Sequence, residues 1–168
     1  VDRAELVAVV GPSGCGKSTL LRIASGLLES TRGSVTIDRR RIGYVFQDPT
    51  LLPWRTVQRN VELLAELAGV APAERARLAA EAIALTGLHG FEGHRPRALS
   101  GGMRMRVSLA RALTLRPRIF LFDEPFGALD EITRERLNVE LARLFADRRF
   151  AGLFITHSID EAAFLSTR

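Results

Sequence analysis

A glycine-rich segment near the start of the sequence has the residue types needed to hold phosphate. It reads Gly-Pro-Ser-Gly-Cys-Gly-Lys-Ser-Thr, which satisfies the pattern of Gly, four residues, Gly, Lys and Ser or Thr. Glycines let successive backbone N–H groups turn toward one phosphate. The lysine adds a positive charge at the β- and γ-phosphates, and the serine hydroxyl can bind a metal ion. The segment predicts a site for a nucleoside triphosphate with magnesium, formed by Gly11, Pro12, Ser13, Gly14, Cys15, Gly16, Lys17, Ser18 and Thr19.

Two residues of this segment are the only ones of their type in the sequence. Lys17 is the only lysine among 24 lysines and arginines, and its compact ammonium group suits a phosphate as a point charge. Cys15 is the only cysteine, so no disulfide can form within the chain, and a reducing cytoplasm fits. A small side chain tolerated in a tight loop is a simpler interpretation of Cys15 than a functional thiol.

Four short apolar runs predict strands buried on both faces, as in a parallel sheet. They cover residues 6–10, 42–46, 119–122 and 153–156. The first run leads into the glycine-rich segment, and the others lead into Gln47, into Asp123 with Glu124, and into His157. Ligands of open α/β sheets bind beyond the carboxyl ends of the strands. These polar residues therefore predict one active site at one sheet edge.

Helical periodicity accounts for much of the remaining sequence. Helices are predicted over residues 57–68, 72–86 and 133–148, and a further helix is predicted to start after Ser100-Gly101-Gly102. Residues 88–97 predict a loop in which His89 and His94 lie at the surface. The apolar positions assigned to inward helix faces are Val57, Val61, Leu64, Ala68, Leu78, Ala82, Leu85, Met103, Val107, Ala110, Leu137, Leu141 and Leu144. The sequence thus predicts an α/β fold with a mostly parallel sheet flanked by helices.

Length and charge limit the classes of partner. The 168 residues suit one domain, and no apolar run approaches the roughly 18 residues of a membrane span. The N-terminus also lacks the pattern of a secretion signal. The net charge of +5 admits nucleic acid or an anionic membrane surface as a partner. The arginines are scattered, apart from Arg39–Arg41, which favours a solvated surface, and we expect no direct nucleic-acid partner.

Two adjacent acids after an apolar strand suit a phosphate-loop hydrolase, in which one acid holds magnesium through its water shell and the other polarises the attacking water. Five segments along the chain are Gln47, Leu99-Ser100-Gly101-Gly102-Met103, Asp123-Glu124-Pro125, Ala128-Leu129-Asp130 and His157. They look like the Q-loop, the signature, the end of Walker B, the D-loop and the switch histidine of the ATP-binding-cassette (ABC) ATPases. They also occur in the order of that family.

The resemblance implies a role for each matching residue. Lys17, Ser18 and Thr19 would contact phosphates and magnesium, and Gln47 with Asp123 would complete the metal shell. Glu124 would act as general base, and His157 would hold the γ-phosphate.

The resemblance also implies an architecture. Residues 1–47 and 114–168 would form the phosphate-loop ATPase core, and residues 48–113 a helical subdomain that carries the signature. Two subunits would pack head to tail, with Ser100, Gly101 and Gly102 of one subunit over the γ-phosphate held by the other, and with Asp130 reaching across. Ser100 followed by two glycines exposes a run of backbone N–H groups at a helix N-terminus, which is itself a suitable anion site.

Finer features resemble the importer ATPases for nitrate, sulfonates and taurine. They are Phe46-Gln47-Asp48-Pro49, the stretch from Leu51 to Val57, Met103 in place of the commoner signature glutamine, and the stretch from Asp123 to Arg134. The resemblance implies a peripheral protein at the cytoplasmic face of the inner membrane, bound to permease subunits and served by a solute-binding protein. Trp54 would touch the permease; the alternative is a tryptophan packed inside the helical subdomain.

Two other functions remain open at this stage. One is a cytosolic cassette ATPase that acts on nucleic acid or ribosomes, although the long insertions or tandem cassettes of that class are missing from the sequence. The other is a regulatory module that binds nucleotide without hydrolysis, which the presence of Gln47, Glu124 and His157 disfavours. Only ten residues precede Gly11, and the family's upstream adenine-stacking aromatic is not among them, so we expect a single, trimmed cassette.

Overall fold

The structure is a computed structural model that describes residues 5–38, 41–148 and 150–167. The arginine cluster noted in the sequence falls partly outside these ranges, at Arg39 and Arg40. The elements, in chain order, are β1 (Leu6–Val10), α1 (Lys17–Ser25), β2 (Ile42–Val45), α2 (Val57–Val61), α3 (Leu63–Leu67), α4 (Pro72–Leu85), α5 (Gly101–Leu113), β3 (Ile119–Asp123), α6 (Glu131–Arg148), β4 (Ala151–Thr156) and α7 (Ile159–Leu165).

The four strands form one parallel sheet in the order β1-β4-β3-β2. The predicted strand positions are correct, with small shifts at the ends: β2 ends one residue early, at Val45, and β3 extends to Asp123. Strand β4 begins at Ala151, two residues before the predicted start. Its second residue is Gly152, where an added Cβ would lie 2.5 Å from Leu6 Cδ1. The glycine therefore permits close strand packing, and it does not interrupt the strand.

Helices cover both faces of the sheet. On one face, Leu21 of α1 packs with Leu121 and Ile155 in a small apolar cluster. On the other face, a larger cluster contains Phe120, Phe122 and Phe154, and it reaches α2, α4, α5, α6 and α7. Full burial of such aromatic side chains contributes about 1.5–3 kcal/mol each before the cost in entropy. This core holds the carboxyl ends of the strands in fixed register.

The helices between β2 and β3 differ from the predicted faces at two positions. The predicted helix over residues 57–68 is two short helices, and Ala68 is exposed. Leu85 is also exposed. The interruption at Glu62 is slight, because this residue keeps helical φ and ψ angles of −65° and −18° and its N–H donates to Gln58 O at 2.9 Å. Its buried carboxylate lies 3.1 Å from Arg59 Nη1 and 3.6 Å from Arg75 Nε, an ion pairing that apolar periodicity does not report.

Helix α5 begins at Gly101, two residues earlier than the predicted start after Gly102. The Ser100 hydroxyl accepts a hydrogen bond from Met103 N at 3.2 Å, so Ser100 is the N-cap. The helix packs against α2, α4 and β2, and it thereby ties the inserted helices to the sheet. Over the described ranges, none of the helices is both long and apolar enough to cross a membrane.

Candidate active site

The sheet brings the predicted polar residues to one edge. The glycine-rich segment follows β1, Asp123 is the last residue of β3, and His157 follows β4 directly. Gln47 lies two residues beyond β2. An added Cβ at Gly127 would lie 3.5 Å from His157 Cε1 and 3.8 Å from Gln47 Nε2. Gly127 thus lies within van der Waals distance of both side chains.

The glycine-rich segment has the backbone that its sequence predicts. Gly14 and Gly16 have φ angles of 81° and 103°, a conformation that glycine adopts without steric cost. Helix α1 starts at Lys17, whose side chain is buried. Its Nζ donates to Gly11 O at 2.9 Å and Pro12 O at 3.0 Å.

Lys17 is also paired with the predicted general base. Its Nζ lies 3.3 Å from Glu124 Oε1. Together with the two carbonyls, this carboxylate makes three acceptors for the three N–H donors of one ammonium group. A phosphate that reaches Lys17 must therefore displace one of these partners.

Glu124 joins the lysine to the histidine. Its second carboxylate oxygen, Oε2, lies 3.2 Å from His157 Nδ1. Its backbone N–H donates to Ile155 O at 2.9 Å, and its φ of 46° falls in the left-handed region. A non-glycine residue in this region costs on the order of 1 kcal/mol or more. The surrounding contacts thus hold Glu124 in a strained conformation at the sheet edge.

A second hydrogen-bonded group lies beside the first. Ser18 Oγ donates to Asp123 Oδ1 at 2.7 Å, and Tyr44 Oη donates to Asp123 Oδ2 at 3.3 Å. Burial, followed by the charge and hydrogen bond of Asp123, raises the pKa of the Tyr44 phenol well above its ordinary value. In the sequence, Tyr44 is distinguished only as part of a strand. The signal for its role is a hydroxyl-bearing aromatic residue in an otherwise apolar strand.

The Ser18–Asp123 pair fits a magnesium site. Magnesium prefers oxygen ligands and is commonly held by one or two carboxylates together with substrate phosphates. Across the described residues, no three His, Cys, Asp or Glu side chains form a metal-binding group. One carboxylate with one hydroxyl is the donor set that a metal shared with nucleotide phosphates requires.

The segment predicted as the signature lies against the predicted D-loop of the same chain. An added Cβ at Gly101 would lie 3.2 Å from Leu129 Cδ2, and one at Gly102 would lie 2.6 Å from Thr133 Cγ2. Close packing therefore requires glycine at residue 102. Asp130 Oδ1 accepts from Thr133 N at 3.0 Å, and the hydrogen bonds of Thr133 hold the pKa of Asp130 below its ordinary value.

Two buried polar side chains that sequence analysis missed hold the segment after Gln47. Arg111 of α5 donates to Pro49 O at 2.8 Å, to Thr50 O at 3.0 Å and to Thr50 Oγ1 at 3.1 Å. Burial lowers the pKa of this guanidinium. Thr50 has a φ of 47°, so a strained backbone residue coincides with this contact.

The second of these side chains is Asn60 of α2, which is completely buried. Its Nδ2 lies within 3.2 Å of the carbonyl oxygens of Leu52, Arg55 and Thr56, and its Oδ1 accepts from Leu52 N at 2.8 Å. Trp54 lies within the loop that these bonds close, and 68% of its surface is exposed. The alternative of a tryptophan packed inside the helical segment is therefore wrong for this chain.

Comparison with known proteins identifies the family. The sequence model of the family described as ABC transporter matches residues 1–127, more than half of the chain. The chain belongs to the ABC transporter ATP-binding family. The predicted family and the predicted α/β fold are confirmed.

This ABC cassette is similar to named relatives. It is 47% identical over 171 residues to an uncharacterized ABC transporter ATP-binding protein of Methanocaldococcus jannaschii, covering 98% of this chain and 64% of the relative. It is 46% identical over 174 residues to the taurine import ATP-binding protein TauB of Yersinia pestis, covering 99% and 68% respectively. The cassette therefore spans about two thirds of the length of these curated relatives.

A solved structure is similar to the cassette over nearly all of its length. It is the dimeric, post-hydrolysis state of an ATP-binding cassette bound to ADP and phosphate. The TM-score is 0.83 at 36% identity, covering 98% of this chain and 79% of that chain. The arrangement of strands and helices around the sheet edge is thus that of a known ATP-binding cassette.

Proposed function

We propose that this cassette is the ATP-hydrolysing, energy-coupling subunit of a membrane importer for nitrate, a sulfonate, taurine or a similar small solute. The observation that carries the proposal is the contact of Lys17, Glu124 and His157 at the sheet edge, beside the Ser18–Asp123 pair. The name of the Yersinia relative, a taurine import protein, supports the class of solute.

The contacts of Lys17 suggest how binding would prepare hydrolysis. ATP phosphate oxygens would compete for its Nζ with Gly11 O, Pro12 O and Glu124 Oε1. If a phosphate oxygen replaced Glu124 as a partner of Lys17, the Glu124 carboxylate would be free. It would then accept a proton from the attacking water at an Oε atom. His157 lies within contact of the same carboxylate and would hold the γ-phosphate. Gln47, which lies against Gly127 together with His157, would face the same phosphate.

Ser18 and Asp123 would hold magnesium together with the phosphates, and Gln47 would complete its shell. When bound, the metal would neutralise charge on the phosphates. Tyr44 keeps one Asp123 oxygen hydrogen-bonded, which leaves the carboxylate oriented toward Ser18.

A second subunit and membrane subunits are part of the proposal. Ser100, Gly101 and Gly102 would close over the phosphate held by the partner subunit in a head-to-tail dimer, with Asp130 at the same interface. Residues 48–113 would form the helical subdomain, and the exposed Trp54 would contact the permease at the cytoplasmic face of the membrane. A solute-binding protein would act on the other side.

Glu124→Gln tests the catalytic assignment. The change keeps size and most hydrogen bonding but removes the proton acceptor, so ATP turnover should fall roughly 10²–10⁴-fold. ATP binding should persist, and an ATP-dependent dimer should become longer-lived on size-exclusion chromatography. Glu135→Gln, at an exposed position on α6, is the control for the loss of one negative charge.

Reconstitution with the permease tests the transport role. Solute uptake should require ATP and should be lost in the Glu124→Gln variant. Turnover of that variant within about threefold of the unmodified protein would overturn the assignment of the general base. ATP hydrolysis that no membrane partner or solute affects would favour a free ATPase.

A further inference from the structure

A buried carboxylate outside the family motifs accepts a hydrogen bond from the residue before His157, and that residue in turn bonds to the backbone after it. Glu161 lies in the first turn of α7 and is 6% exposed. Thr156 Oγ1 donates to Glu161 Oε2 at 2.5 Å, and Thr156 is the residue before His157. On the other side, Ser158 Oγ accepts from Glu161 N at 3.2 Å, and Ser158 N donates to Thr156 Oγ1 at 3.0 Å.

Packing alone does not hold the histidine. Half of the His157 side-chain surface is exposed, and the side chain contacts Glu124 at 3.2 Å. The position of His157 therefore depends on its neighbours. Thr156 bonds to the Glu161 carboxylate, and Ser158 caps α7 by accepting from the backbone N–H of Glu161. A displacement of even 1 Å at a catalytic group can cost on the order of 100-fold in rate.

Arg134 connects this carboxylate to the D-loop. Its Nη2 donates to Leu129 O at 3.1 Å, and its Nε lies 3.9 Å from Glu161 Oε1. The same Nε is buried and makes no hydrogen bond within the described structure, so the carboxylate is the charge that compensates it. Leu129 also lies against Gly101 of the signature.

We propose that Glu161 and Arg134 are positioning residues for His157 and that they tie its position to the D-loop of the same subunit. The chain of contacts runs from Leu129 through Arg134, Glu161 and Thr156 to His157. A contact made at the D-loop by a second subunit would thereby bear on the histidine. The inference rests on the proposed hydrolysis, because it assigns a means of orienting a residue of that site.

Glu161→Gln is the first test, with Asp160→Asn as its matched control. Asp160 is the adjacent acid on α7 and is exposed, so both variants lose one negative charge in the same turn. We expect turnover (kcat) of Glu161→Gln to fall roughly 10- to 100-fold, with ATP affinity within about twofold of the unmodified protein. Asp160→Asn should retain its turnover.

Two substitutions of Thr156 test the proposal even if Glu161→Gln fails to fold. Thr156→Val removes the donor to Glu161 and keeps the shape, whereas Thr156→Ser keeps the hydroxyl. The proposal requires low turnover with Val and restored turnover with Ser.

A double-mutant cycle tests the connection to the D-loop. Arg134→Gln combined with Glu161→Gln should reduce turnover no more than the more severe single change does.

The outcomes separate this inference from the proposed function. Failure of the unmodified protein to hydrolyse ATP would refute the proposed function itself. Normal hydrolysis together with full turnover in Thr156→Val, or equal losses in Thr156→Val and Thr156→Ser, would overturn the role of Glu161. Fully additive losses in the Arg134–Glu161 cycle would overturn the connection to the D-loop.

Discussion

At the sheet edge, the predicted site residues contact one another through their side chains, whereas in residues 49–56 buried side chains bind mainly the backbone. Lys17 pairs with Glu124, and Ser18 bonds to Asp123. In the second region, Arg111 and Asn60 together donate to five backbone carbonyls. The first region lies beside solvent, since 16% of the Glu124 side chain is exposed, whereas Asn60 is completely buried.

The comparison distinguishes contacts that a bound ligand can replace from contacts that fix the conformation of the backbone. A nucleotide can offer phosphate oxygens in place of a carboxylate, so the partners of Lys17 can change without leaving a buried charge alone. A buried amide has no such replacement, and loss of one partner leaves unsatisfied groups at about 1–3 kcal/mol each. We therefore expect the region around Trp54 to be rigid and the sheet edge to rearrange on binding.

The largest effect should come from Asn60→Ala. It removes four hydrogen bonds from a site that water cannot easily reach, so the free energy of unfolding should fall by about 3 kcal/mol. Asn138→Ala is the matched control, because Asn138 is also buried but its Oδ1 makes no hydrogen bond within the described structure. Thermal melting should show a drop of roughly 6–12 °C for the first variant and far less for the second. Equal drops would contradict the assignment of Asn60 as the anchor of this loop.

Trp54→Ala should leave stability nearly unchanged and weaken assembly. With 68% of the residue exposed, its removal should change the melting temperature by no more than about 2 °C. An aromatic residue at the centre of an interface commonly contributes 2 kcal/mol or more, so permease binding should weaken by about 30-fold. Co-purification with the permease measures this, and Phe164→Ala, an exposed aromatic on α7, is the control. A large drop in melting temperature, or intact assembly, would refute the contact.

The smallest effect concerns Tyr44, the only tyrosine in the sequence. Its pKa in the folded protein is raised, by burial first and by Asp123 second, above the unfolded value of about 10. The neutral phenol therefore stabilises the fold fully below pH 10, and this contribution is lost as pH rises above that value. In an absorbance titration, the phenolate should form only well above pH 10 in the folded protein, whereas in denaturant it should form near pH 10. Asp123→Asn should shift the folded midpoint downward, and a folded midpoint near 10 would contradict the Tyr44–Asp123 contact.

Sequence patterns predicted the parts of the molecule that depend on local order. Strands buried on both faces are apolar runs, so their positions and the polar residues after them could be located. The start of β4 could not, because Gly152 looks like a break unless the neighbouring Leu6 is known. Leu85 shows the other limit, since helical spacing alone does not reveal which side the rest of the chain covers.

Most of the missed residues have a hydrogen-bond partner far away in sequence. In the remaining case the partner looks like an ordinary neighbour in the sequence. Tyr44 and Asp123 are 79 positions apart, and Arg111 and Thr50 are 61 apart. Local spacing carries no information about such pairs. Glu161 lies close to His157 in sequence, yet its burial is not evident from the sequence, because it is one of two adjacent acids in α7. The ion pair of Lys17 with Glu124 likewise follows only from the folded backbone.

Helix α5 carries the signature at its first turn and Arg111 near its last. At 1.5 Å per residue, Gly101 and Arg111 are about 15 Å apart along the axis. The hydrogen-bonded backbone makes this helix a stiff rod, anchored at one end to Pro49 and Thr50. A displacement of the Gly101 end that moved this helix as a rigid body would therefore also move Pro49 and Thr50, and with them the loop that contains Trp54.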